Sequence, residues 1–103
     1  MRRARVDVSG VPAGLLEELQ AGLQYVFQYD EGYTGPPASL TMPTSKREYR
    51  FTSFPPFFDG LLPEGAQLEA LLRLNKIDRN DLFSQLLAVG RDLVGAVTVT
   101  ATE

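Results

Sequence analysis

Residues 57 to 65 read Phe57-Phe58-Asp59-Gly60-Leu61-Leu62-Pro63-Glu64-Gly65: an aromatic pair, a leucine pair and a turn, with no spacer between them. No other stretch constrains the fold as tightly. Proline lacks a backbone N–H and clashes with the turn before it, so a helix holding Phe57 and Phe58 has to end before Pro63. Glycine opens backbone angles that other residues avoid. The segment reads as a short, buried, helix-like turn that ends in a sharply shaped loop.

At 103 residues the chain has room for one domain, 1–103, with one modest core. Its 44% hydrophobic and 22% charged residues are ordinary globular values and argue against disorder throughout. The formal charge is −3, and positive residues are scattered apart from Arg2-Arg3-Ala4-Arg5 and Lys46-Arg47. Phosphate backbones need a basic face, so nucleic acid is a poor direct partner. The terminal arginine cluster reads as solvated charge. Cysteine, histidine and tryptophan are absent, which excludes disulfides, thiolate or imidazole zinc sites and histidine-activated nucleophiles. No stretch approaches the roughly 20 apolar residues that span a bilayer. Met1 to Arg5 is not followed by the apolar run of a signal peptide. The expected location is cytoplasmic, without a membrane partner.

Ala4, Val6 and Val8 alternate with Arg5, Asp7 and Ser9, the period of a half-buried strand. Val11-Pro12-Ala13-Gly14 reads as a break or turn. Leu15 to Leu19 has helical composition but lies between the turn signals Ala13-Gly14 and Ala21-Gly22, which favours a short strand. The clearest strand is Leu23 to Tyr29, with Leu23, Tyr25, Phe27 and Tyr29 on one face and Gln24, Val26 and Gln28 on the other. Residues 30–37 are a loop. Ser39 to Met42 is expected as a brief strand, 44–48 as a hairpin tip, and Tyr49-Arg50-Phe51 as the strand returning along it.

Beyond Pro56 the period becomes helical. Leu68, Leu71 and Leu72 recur at helical spacing, and Pro63 sits near the helix start, where its missing N–H costs little. Asp78 is expected to cap a second helix with the stripe Leu82, Phe83, Leu86 and Leu87, closed by Gly90. Val97, Val99 and Ala101 alternate with threonines in a last strand. Strands, then helices, then one strand predict an α+β fold: a small antiparallel β-sheet with two or three packed α-helices.

Catalytic chemistry finds little support in these residues, and no cofactor or metal site is expected. Gly32-Tyr33-Thr34-Gly35 lacks the spacing and strand-to-helix setting of a phosphate loop, and neither a His-Arg-Asp nor an Asp-Phe-Gly motif is present. The carboxylate pairs Glu17-Glu18, Asp30-Glu31 and Asp78/Asp81 read as water-facing or, for the last, as helix-start charges. Tyr25, Phe27 and Tyr29 would need surrounding lysines and arginines to stack on bases; glutamines flank them, so they read as core. For Phe54, Phe57 and Phe58, set between prolines, core and exposed interface are both open readings.

Phe57 to Gly65 resembles the Leu-Leu-Pro-Glu-Gly signature in the amino-terminal subdomain of HipA-type serine/threonine kinases. The same resemblance holds, in order and spacing, for Phe27-Gln28-Tyr29-Asp30 with Tyr33, for Ala38 to Pro43, for Asp81-Leu82-Phe83, and for Leu86 to Val97. It implies that Leu15 to Leu19 is strand. In a HipA kinase this subdomain continues into a nucleotide-binding body, whereas here the chain stops at Glu103. It therefore looks like the HipS family of stand-alone small proteins in tripartite HipBST toxin–antitoxin systems. That implies a non-catalytic antitoxin whose partners are a HipT-like kinase and a helix-turn-helix HipB-like protein, with DNA reached only through the latter. An activating or fold-completing subunit, or a fragment of a HipA-type kinase, is the alternative.

The expected kinase contact is Phe57, Phe58 and the loop Leu62, Pro63, Glu64, Gly65, Ala66 and Gln67. Pro63 and Gly65 fix the shape of that loop, so little entropy is lost when it docks. Glu64 would face basic groups of the kinase. The plainer reading, that the turn only packs a helix onto the sheet, stays open beside it.

Overall fold

The computed structural model describes residues 1–93 and 95–102; Val94, inside the Leu86–Val97 motif, and Glu103 lie outside the described residues. The elements in chain order are β1 (Arg2–Val8), β2 (Val11–Gln20), β3 (Gln24–Tyr29), β4 (Glu48–Phe51), α1 (Pro56–Asp59), α2 (Gly65–Asn75), α3 (Leu82–Val89) and β5 (Val97–Ala101). The strands form one antiparallel sheet in the order β4-β3-β2-β1-β5. β1 to β4 run as a meander. The chain then leaves the β4 edge, passes through the three helices and returns as β5 on the opposite edge. The expected α+β architecture is the one observed.

The first hairpin turns at Ser9-Gly10, not at Val11 to Gly14. Both turn residues have positive φ (51° and 80°), as a two-residue hairpin loop with strand-matching twist requires. Val11 to Gly14 instead opens β2. Val6 pairs with Gly14 and Asp7 with Pro12, so Ala13 is the extra residue of a bulge. A bulge is where a strand with neighbours on both sides can hold a proline that donates no ladder hydrogen bond. Leu15 to Leu19 lies within β2, as expected.

In β3 the expected aromatic face is correct: Tyr25, Phe27 and Tyr29 are buried. Leu23 is not part of it, being a turn residue that stays exposed. Ser39 to Met42 is a single bridge rather than a strand, and β4 pairs with β3 instead of with that segment. The reason lies in Tyr29. Its hydroxyl donates to the Met42 carbonyl (2.5 Å) and accepts from the Ala38 N–H (2.9 Å), pinning the long loop by side-chain bonds in place of a ladder. Tyr33 stacks on Tyr29, and the Tyr49 hydroxyl donates to the Pro43 carbonyl.

α3 starts one turn later than expected. Its cap is Asp81, which accepts from the Ser84 N–H at 3.1 Å, while Asp78 accepts from Asn80 in the preceding turn. Gly90 does close α3, but with ordinary right-handed angles. A Cβ there would collide with the Val99 carbonyl of β5, so it is close approach that demands glycine.

The buried residues form one core between the sheet and the helices. An aromatic chain runs through it: Tyr25 meets Phe54 edge-on at 5.4 Å, and Phe27 packs against Tyr29 at 4.9 Å and Phe58 at 5.7 Å. Phe83 and Leu86 come down from α3. α2 buries no residue completely and leans on α3 alone among elements with substantial contact.

The arginines of β1 are not solvated charge. Arg3 pairs with Glu17 and Arg5 with Asp30. Arg2 lies over the Phe83 ring, and its Nε donates to Glu18 at 2.7 Å while its terminal nitrogens donate to Asp81 and Ser84 at 2.8 Å. Glu18 is correspondingly buried rather than water-facing, and also accepts from the Tyr25 hydroxyl. Burying this carboxylate is tolerable only because each of its oxygens has a donor.

Candidate functional site

The Phe57–Gly65 segment is built by proline at both ends. Pro55-Pro56 starts α1 where no N–H is needed. Asp59 and Gly60 then donate back to the carbonyls of Pro55 and Pro56, both at 3.0 Å, and Leu61 and Leu62 donate to Phe58 and Asp59 at 3.1 Å. The coil ends at Pro63. Glu64 is extended, and Gly65 enters α2 with φ +58°, an angle costly for any residue carrying a Cβ. The short turn and the shaped loop are both present.

The structure separates the expected contact residues by depth. Phe58 is fully enclosed in the core, so its ring supports the turn from beneath and offers no surface. Phe54 is also core, and Phe57 is half-buried against Phe58. Leu62 and Pro63 are half-buried, while Glu64, Gly65, Ala66 and Gln67 are exposed.

Behind this turn lies an open groove of about 440 Å³. Leu61, Leu62 and Pro63 form one wall, and Val89, Asp92 and Leu93, after and within the end of α3, form the other. Gln67 of α2 also lines it. Sequence reasoning did not place Leu61, Val89, Asp92 or Leu93 in a site. The signal was present, because Val89 to Leu93 lies inside the Leu86–Val97 motif, but nothing in the spacing shows that α3 ends beside Pro63. Asp59, Glu64 and Asp92 are exposed around the groove and enter no ion pair among the described residues.

Among the described residues, no group with a shifted pKa lines the groove. Burial pushes the Asp81 carboxyl up, but hydrogen bonds from Arg2 and Ser84 outweigh it and hold the group below its ordinary value. Hydrogen bonding to Glu18 and Asp81 raises Arg2 further still. Burial likewise raises the Tyr25 and Tyr29 hydroxyls. These are shifts of a structural network, not of a cleft. Among the described residues no cluster of acidic side chains is arranged to hold a metal ion.

The family model of the HipA N-terminal domain matches residues 4–100. The chain belongs to the HipA N-terminal domain family. A solved structure of the N-terminal domain of HipA toxin superposes with a TM-score of 0.77 at 29% identity, covering 100% of this chain and 94% of that one. An uncharacterized protein of Haemophilus influenzae is 32% identical over 99 residues, 96% of this chain and 92% of the relative. The Sinorhizobium fredii protein Y4dM, described as a candidate kinase, is 35% identical over 109 residues. That match takes 95% of this chain but only 26% of Y4dM. The HipA N-terminal domain is thus a quarter of one relative and nearly the whole of another. Among the described residues no helix is long and apolar enough to cross a membrane.

Proposed function

We propose that this chain is a HipS-like, non-catalytic antitoxin that binds and neutralises a HipA-like, HipT-like serine/threonine kinase in the cytoplasm. The observation that carries the reading is coverage of the relatives: the match takes 92% of the Haemophilus influenzae protein but 26% of the candidate kinase Y4dM, so a domain fused to a longer chain in one protein is nearly the whole of another. A lobe that is fused to its kinase body in one protein can act on such a body from outside in another. Fusion gives the contact a high effective concentration, and separation turns it into a binding event that can be regulated. A helix-turn-helix HipB-like protein completes the complex and supplies its DNA contact. The surface that engages the kinase is the loop from Leu62 to Gln67, exposed from Glu64 onward, with Phe57 beside it and Phe58 holding it from the core.

The test is kinase activity with and without this chain, using the cognate HipA-like kinase. Activity is expected to fall, and the Glu64→Lys/Gln67→Lys variant, altered only at exposed positions, is expected to inhibit less. Inhibition equal to that of the parent would remove the loop from the contact. The match to one quarter of Y4dM favours a second reading, a lobe that completes a kinase fold; that reading predicts raised activity on addition of the chain.

A further inference from the structure

The groove beside the loop has a chemistry of its own. Its walls are aliphatic, from Leu61, Leu62, Val89 and Leu93, and its volume of about 440 Å³ falls in the roughly 300–1,000 Å³ range of ligand pockets. Leu61 and Leu62 are half-buried in it, and α2, which contributes Gln67 to its lining, buries no residue completely. The charges beside it are mostly acidic, with Arg91 next to Asp92 as a counter-charge. Asp92 lines it, Asp59 and Glu64 flank the Gly60–Pro63 wall in sequence, and all three are exposed without an ion pair among the described residues. The cations of β1, by contrast, are spent on Glu17, Glu18, Asp30 and Asp81.

We propose that this groove is a docking site for a basic amphipathic segment of the partner kinase, with aliphatic side chains in the groove and lysines or arginines against Asp59, Glu64 and Asp92. The inference rests on the kinase-binding reading above and adds a second contact next to the loop. Charge complementarity selects the occupant. Nucleotides and other phosphate ligands are repelled by unpaired carboxylates, and the groove offers Gln67 as its one uncharged polar side chain. An aliphatic peptide face flanked by cations satisfies both floor and rim. Rim charges of this kind act chiefly on the association rate and its salt dependence.

The experiment measures binding of the purified cognate kinase to the parent and to Asp59→Lys/Asp92→Lys, both exposed positions, across a range of salt concentrations. Parent affinity is expected to fall as salt rises. At low salt the variant is expected to bind about tenfold more weakly, with a flatter salt dependence. In the labelled parent, amide shifts on adding kinase should include Leu61, Val89 and Leu93. If the parent binds and inhibits the kinase while the double variant binds equally well at every salt concentration, the groove proposal is overturned and the antitoxin reading stands. If the parent binds no kinase, both are overturned.

Discussion

Phe27 sits where the sheet meets α1. It is fully buried, touches Tyr29 and Phe58, and its ring lies 3.0 Å from where a Cβ on Gly14 would be. Gly14 is therefore glycine for close approach, of a Cβ first to the Gln28 carbonyl at 2.5 Å and then to the Phe27 ring, not for a turn. Truncation at Phe27 removes transfer energy and leaves a cavity that the flanking aromatics cannot close. Phe27→Ala should destabilise the fold by about 3–5 kcal/mol, a large part of the roughly 5–15 kcal/mol that such a protein holds. Chemical denaturation measures this directly. An unchanged midpoint would mean that the ring is not core.

Among the elements, α2 stands apart. β1 and β2 are hydrogen-bonded on both sides, and α3 buries Phe83, Gln85 and Leu86, whereas α2 buries nothing completely and leaves Leu74 75% exposed. Its ends are shaped more by backbone than by side-chain caps: Gly65 at φ +58° and Lys76 at φ 55°, with no capping bond from Glu64. Local opening follows the number of buried apolar contacts, so α2 should exchange its amide hydrogens well before the β1–β2 ladder. Native-state exchange should show lower opening free energies for 68–75 than for Ala4, Val6 and Leu16. Protection of α2 equal to that of the sheet would contradict this. A loosely held helix beside the Leu62–Gln67 loop also suits a surface that completes its packing on a partner.

At the scale of the molecule, Arg2 ties the first strand to the third helix through Asp81, 79 residues away in sequence. The Asp81 pKa is lowered in the folded state, because the bonds from Arg2 and Ser84 outweigh burial. Its stabilising contribution is therefore complete above the ordinary aspartate value of 3.8 and is lost as pH falls through the lower folded value. Tyr25 and Tyr29 behave oppositely. Burial raises both, so their contribution is complete below the ordinary value of 10.0 and is lost as pH rises through the folded values. Stability should thus be flat between these limits as far as these three groups are concerned. Asp81→Asn should flatten the acid limb of a melting-temperature profile, and Tyr29→Phe the alkaline limb. A variant that retains its parent's limb would remove that group from the network.

Local pattern by itself determined much of this protein. Alternation in Ala4 to Val8, Tyr25 to Tyr29 and Val97 to Val99 assigned the buried faces of three strands, because a strand's side chains change sides at every residue. Helical spacing found α2 and α3, and the three prolines and two glycines of residues 55 to 65 marked the turn and its loop. Flanking turn signals and the resemblance to the HipA family both assigned Leu15 to Leu19 as strand, although its leucines and glutamates carry a helical composition that strand pairing on both sides overrode. The fold, in contrast, settles who meets whom. The Tyr29 hydroxyl holds a loop that would otherwise have read as a strand, and Gly90 lies under Val99. Arg2, Glu18 and Asp81 converge although neither charge nor spacing announces it, and α3 ends beside Pro63 to make the groove. Periodicity is a property of neighbouring residues and survives in sequence. Contacts between residues tens of positions apart depend on the path of the chain from one sheet edge to the other, which no single segment encodes.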